Sequence, residues 1–343
     1  MPMSGMGGID RNIQMTSDER TGTDEQTGTF IAERPVDVVS RLRAFVRSLH
    51  PLRVIAHKSL RGPYSQQEFI DATCSIQHQA ATSSSVRDKS VALWQMEKLG
   101  FSYCRHGKNT LNDPAIPAEV QPISHVGLGI AATETALFAA DKISELIEPR
   151  AHPDYRLFPY ESIGCIWAVY ANRWFRMVFQ TVSKANIPRC NLPDWCEFIG
   201  HFSPDIQRLI SHGYGRTIYF KDFNVGRAIR NADRLEAVDT LAAVQGIAFA
   251  YAMLNHADLH RVLEVGTDLK DPEIAQAFQN GLVYALAFWE WAFSGFLDDL
   301  TPRSARQVEL VVSAQEIVAE SHRSGALAVF GMGLERFENT NPR

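Results

Sequence analysis

GIAFAYAMLNHADLHRVLE (residues 246–264) and GLVYALAFWEWAFSGFL (residues 281–297) decide the fold. Each opens on a glycine and runs on through small and aromatic residues with helical rather than alternating spacing. Four further segments have the same character: GLGIAATETALFAAD from Gly127, GCIWAVYANRWFRMV from Gly164, GYGRTIYFKDFNVGRAI from Gly213 and GALAVFGMGLERF from Gly325. The six glycines are 37, 49, 33, 35 and 44 residues apart. A period of that size belongs to arrays of helical hairpins, in which each repeat leans on its neighbours because it cannot bury its apolar face alone. A glycine at a recurrent position lets two backbones approach closely. Ser203-Pro204-Asp205, Asp271-Pro272-Glu273 and Thr301-Pro302 supply helix starts between the segments, each a capping residue followed by proline. Strand-like runs bounded by turns are nearly absent, so the expected fold is all-α, an α/α repeat or toroid-like array.

Outward from this array, Pro114, Pro117 and Pro122 with Asn109, Asn112 and Asp113 mark residues 105–124 as a loop. The array then occupies residues 125–337. Residues 36–104 form an N-terminal helical segment with three helices. The first lies between Pro35 and His50, the second starts at Ser65 with a capping box to Glu68, and the third runs from Val86 to a stop near Gly100. Residues 1–35, rich in Gly, Thr, Ser, Asp and Glu, read as a flexible tail without the apolar stretch of a secretory signal.

The 343 residues are 45% apolar and 21% charged with a net charge of −5, which excludes a wholly disordered chain and argues against a general nucleic-acid binder. Five scattered cysteines are no disulfide framework and point to a reducing, cytoplasmic setting. The longest apolar run, Gly281–Leu297, reaches roughly 25 Å as a helix, short of a ~30 Å hydrocarbon core. It also carries Glu290 at its middle, so it reads as a buried helix and not a membrane span.

The glycine–aromatic strings Gly127-Leu128-Gly129, Gly213-Tyr214-Gly215-Arg216-Thr217-Ile218-Tyr219-Phe220 and Gly246-Ile247-Ala248-Phe249-Ala250-Tyr251 resemble an uncharacterised bacterial family found beside enediyne polyketide gene clusters. The resemblance covers about residues 120–330. It implies a place in specialised metabolism and brings no catalytic residue with it.

Several constellations could carry chemistry. Asp298 and Asp299 close the most aromatic segment, where adjacent carboxylates could hold Mg²⁺ against a diphosphate or supply a proton. Two acids at a helix C-terminus also oppose its dipole. The full aspartate-rich pattern of isoprenoid synthases is absent, since Pro302 stands where its last aspartate would fall. Arg227, Arg230 and Arg234 share a helix face downstream of Arg216 and suit a phosphate or carboxylate, although Asp233 and Glu236 interleave them. Glu161 and Glu290 are candidate buried acids. His256 and His260, four apart with Glu264 one turn on, could hold a metal, but the metalloprotease glutamate is replaced by Ala257. Cys190, Cys196 and His201 are spaced off the zinc pattern and read better as free thiols beside Trp195. Tyr214, Tyr251, Trp289 and Trp291 stand for an aromatic lining that could take a polyene or prenyl chain and steady a cation. Ordinary core packing explains the same stripe.

Two functions follow. One is a cyclase or tailoring enzyme of natural-product (terpenoid or polyene) biosynthesis acting on a hydrophobic precursor, such as a prenyl diphosphate. Its acids would be Asp298, Asp299, Glu290 and Glu161, and its binding residues Arg216, Arg227, Arg230 and the aromatics. The other is a non-catalytic helical-repeat protein that binds a hydrophobic polyene or a biosynthetic partner. Either fits a homo-oligomer, and neither calls for nucleic acid or a membrane span.

Overall fold

The computed structural model describes residues 65–105, 109–172 and 192–324. The tail, the helix expected between Pro35 and His50 and the segment from Gly325 lie outside the described residues. Within them the chain forms twelve α-helices and no strand, as the glycine–aromatic periodicity requires.

Helix α1 (Gln66–Ala81) starts at the expected capping box: Ser65 Oγ accepts from Glu68 N–H while Glu68 accepts from Ser65 N–H. Helix α2 spans Val86–Arg105 and does not stop at Gly100. Gly100 is interior because a Cβ there would lie 2.4 Å from Ser124 O; the glycine marks a helix crossing, not an end. Helix α3 (Gln121–Ala136) follows, with Pro122 in its first turn, so the loop ends at Val120 rather than Ser124. Next come α4 (Ala140–Ile147), α5 (Phe158–Ala171), α6 (Trp195–Gly200), α7 (Pro204–Asp222), α8 (Val225–Asp233), α9 (Thr240–Leu254), α10 (Leu259–Glu264), α11 (Pro272–Ala292) and α12 (Ala305–Ser324).

The six longest inner elements pack in the succession α2, α3, α5, α7, α9, α11, and α11 also touches α2. Short helices such as α4, α8 and α10 return the chain between neighbours, so consecutive inner helices can run parallel. For α5 and α7 the start pairs Tyr160 with Phe202 and the end pairs Trp167 with Tyr214. For α7 and α9, Ser211 meets Asp239 at one end and Tyr219 meets Tyr251 and Asn255 at the other.

The five repeat glycines among the described residues sit within helices, not at helix starts. Their role is clearest at Gly213, where a Cβ would lie 1.7 Å from Glu161 O, and at Gly246, where it would lie 1.9 Å from His212 O. Backbone rests on backbone at these crossings, and a bare Cα–H can face the neighbouring carbonyl. Three buried polar residues, Glu97, Glu161 and His212, each lay their carbonyl against the glycine of the next helix (Gly127, Gly213 and Gly246).

Four local expectations are corrected. GYGRTIYFKDFNVGRAI is two helices, because Phe223 takes a left-handed φ of 47° and ends α7 at Asp222. GIAFAYAMLNHADLHRVLE breaks at Asn255, and His256–Asp258 form a 3-10 turn before α10. The run to Leu297 leaves the helix at Ala292, since Gly295 adopts φ 85° and the Glu290 carboxylate accepts from Gly295 N–H (2.9 Å) and Leu297 N–H (2.7 Å). Thr301-Pro302 does not start α12. Ser304 does so, its Oγ accepting from Gln307 N–H. Among the described residues no helix is long and apolar enough to cross a membrane.

Candidate functional site

Four ionisable side chains from three helices meet inside the succession. Arg216 on α7 donates from Nη2 to Glu97 Oε2 on α2 at 2.9 Å and from Nη1 to Glu161 Oε1 on α5 at 3.2 Å. His212, one turn before Arg216, places Nδ1 3.2 Å from the same Glu161 oxygen. All four residues are buried. The local reason is helical spacing: His212 and Arg216 are four apart and share one face of α7, while Gly213 between them lets α5 come close enough for Glu161 to reach both.

Aromatic faces close around this centre. The guanidinium carbon lies 5.4 Å from the Trp94 ring centroid on α2 and 5.9 Å from that of Phe249 on α9. His212 stands edge-on to Tyr284 of α11 at 5.4 Å, and Tyr284 packs on Phe249 at 5.1 Å. Five of the six inner helices thus contribute to one centre. Nε of Arg216 makes no hydrogen bond among the described residues.

The two carboxylates are unlike. Burial pushes the Glu97 carboxyl above its ordinary range, and the pull of Arg216 does not cancel that rise. Burial acts on Glu161 in the same direction, but Arg216 and the hydrogen bond from His212 outweigh it and hold Glu161 below the ordinary range. For Arg216 burial opposes the charge, and Glu97 and Glu161 more than offset it. The centre therefore sets two carboxyls on one guanidinium whose proton affinities are shifted in opposite directions, Glu97 upward and Glu161 downward. Cys165, donating to Gly213 O at 3.1 Å, is an inert neighbour whose thiol burial pushes up to about 12.

Of the residues singled out in the sequence, Glu161 and Arg216 are brought together here. Glu290 is spent on the turn after α11. Asp298 and Asp299 lie exposed beyond that turn and not at a helix C-terminus, so the conflict with a helix dipole does not arise. Arg227 and Arg230 lie exposed on α8, apart from the buried Arg216. Tyr214 sits against Trp167 and Trp195, Tyr251 against Tyr219 and Phe278, and Trp289 against Phe296. Trp291 donates to Ala118 O and stacks on His322. These four aromatics are dispersed over separate contacts.

His256 and His260 are not on one helix: Nδ1 of His256 donates to Met253 O, and Nδ1 of His260 meets Gln307 Oε1. Glu264 accepts from Ser304 and Gln307. Cys196 is exposed, and Cys190 lies outside the described residues. Among the described residues no group of three or more His, Cys, Asp or Glu side chains could hold a metal ion.

Sequence reasoning missed Glu97 and His212 as functional residues. A signal existed. Glu97-x-x-Gly100 and Glu161-x-x-Gly164 share one spacing, an acid one turn before a crossing glycine, and His212-Gly213 precedes Arg216 by one turn. Comparison with protein-family models, with curated proteins and with solved structures finds no match to this chain.

Proposed function

We propose that this chain is an enzyme performing acid–base chemistry on a hydrophobic precursor, a cyclase or tailoring step of natural-product biosynthesis, at the Glu97–Arg216–Glu161–His212 centre. The observation that carries the reading is the pair of buried carboxyls on one guanidinium, with environments that drive their proton affinities apart. Glu97 is the acid. On giving up its proton it becomes the anion that Arg216 already contacts, so the product state of the transfer is stabilised without rearrangement. Glu161, ionised and held by Arg216 and His212, is the base. The ring faces of Trp94 and Phe249, which take up the guanidinium charge, suit a substrate that turns cationic. The resemblance to the enediyne-associated family supports the setting in specialised metabolism.

A prenyl diphosphate with Mg²⁺ is one candidate precursor, with Asp298 and Asp299 as the metal-facing acids. The test is product formation. Purified full-length protein is incubated with prenyl diphosphates and with neutral polyenes, with and without Mg²⁺, and extracts are resolved by gas chromatography–mass spectrometry. A product absent from boiled controls is expected, reduced about 100-fold or more in Glu97→Gln. Loss in Asp298→Asn/Asp299→Asn confined to Mg²⁺-dependent turnover would assign ionisation of a diphosphate to that turn. Undiminished turnover in Glu97→Gln contradicts the reading. A polyene retained but recovered unchanged would make the chain a binding protein.

A further inference from the structure

The charged side chains of the centre are not equally sealed. Glu97 keeps 12% of its side chain exposed, against 5% for Arg216 and 2% for Glu161. The surrounding rings divide in the same direction. Phe249 and Tyr284 are buried, whereas Trp94 is half-buried, as is Phe220, which meets Trp94 edge-on at 5.5 Å. Trp94 belongs to α2 and Phe220 to α7, helices that are not neighbours in the succession, so the two rings meet across its interior. A ring turned inward that still meets solvent does so through an opening at one end. Trp94 lies about one turn nearer the start of α2 than Glu97, and Phe220 one turn nearer the end of α7 than Arg216. Both steps lead to the same end, where α2 begins at Val86 and α7 stops at Asp222.

We propose that the Trp94–Phe220 pair is the mouth of the centre, and that Phe220 sets the girth of the apolar molecule that reaches Glu97. The contact between the two rings is apolar, so a hydrophobic molecule can replace it without uncovering a polar group. Behind the mouth stand the Arg216 guanidinium, 5.4 Å from the Trp94 centroid, and the Glu97 carboxyl bound to it. The inference rests on the reading of this centre as a reaction site, and adds to it a direction of entry and a residue that selects by size.

The test is labelling by neutral apolar reagents of two widths. Full-length protein is treated with the α-phenyl or the α-biphenylyl derivative of N,N-dimethyldiazoacetamide, digested, and mapped by mass spectrometry. The carboxyl proton moves to the diazo carbon, dinitrogen leaves, and the carboxylate oxygen bonds to that carbon. At pH 5 even an unshifted glutamic acid is partly protonated, so the label reads access. Rates are normalised to the exposed Glu145. Glu97 in the parent should take the phenyl label and resist the biphenylyl one. Phe220→Ala should raise the biphenylyl label at least about fivefold, the scale of losing one edge-on ring contact. Phe220→Leu should raise it less, and Phe220→Trp should lower both labels. Overturning results are a Glu97 that neither reagent labels in parent or Phe220→Ala, or a ratio of the two labels indifferent to residue 220. Undiminished turnover in Glu97→Gln would end the acid–base reading and leave this labelling pattern as it is.

Discussion

The interior centre and the turn after α11 hold the chain's two most suggestive groups of acids, and they differ in every respect that governs reactivity. Asp298 and Asp299 are adjacent in sequence, exposed, and follow a turn that Glu290 ties down. Glu97 and Glu161 are 64 residues apart, buried, and meet on one guanidinium. Local density of charge made the first group conspicuous, whereas convergence of crossing helices made the second. Solvent screens exposed carboxylates from one another, whereas burial and a shared cation drive two carboxyls apart.

The contrast can be broken first at the crossing that builds the centre. Gly213→Val places a branched side chain where even a Cβ would lie 1.7 Å from Glu161 O, and helix α5 cannot stay in place. A loss above about 4 kcal/mol, or no soluble fold, is expected by denaturant unfolding. Next in size is the charge balance. Glu97→Gln removes a carboxyl that burial already disfavours as the ion and should cost less than Glu161→Gln, which removes the carboxylate that Arg216 and His212 hold below its ordinary range. The double variant strands Arg216 without a counter-charge, at about 3–5 kcal/mol. Its cost should exceed the sum of the single changes, a coupling that a double-mutant cycle measures.

Acidity sharpens the comparison further. Glu134, held up to about 7 by burial against the pull of Arg105, binds its proton more tightly in the folded state. Its contribution is present below the ordinary carboxylate range and is lost as pH rises from there to about 7. Glu161 has the opposite sign: its contribution is present above the ordinary range and is lost as pH falls through it. Glu134→Gln should therefore flatten the decline in unfolding free energy between about pH 5 and about pH 8, and Glu161→Gln should flatten the loss on the acid side. The smallest effect belongs to the exposed turn, where Asp298→Asn and Asp299→Asn together should change stability by no more than about 0.5 kcal/mol.

Much of the fold was legible because it depends on local rules. The capping box at Ser65, the start of α11 at Asp271 and the lack of alternating runs all led to helices in the right places. Glycines were legible as a period but misleading as boundaries, since close backbone approach needs glycine in mid-helix, where propensity alone disfavours it. The breaks at Phe223 and Asn255 carry no glycine or proline; Asn224 and Asp258 cap the helices that follow them. Glu161 and Arg216 were legible as residue types; their meeting was not, because it depends on which faces of α5 and α7 cross. Glu97 escaped notice since a lone acid in an amphipathic helix reads as solvated surface, and only its burial against Arg216 distinguishes it.

The central claim, that Glu97 binds its proton more tightly than Glu161 although both contact Arg216, is open to one direct measurement. In infrared difference spectra followed over pH, the C=O stretch of a protonated acid that Glu97→Gln removes should persist to higher pH than the one that Glu161→Gln removes. Loss of the Glu97 band at or below the pH at which the Glu161 band is lost would contradict the account.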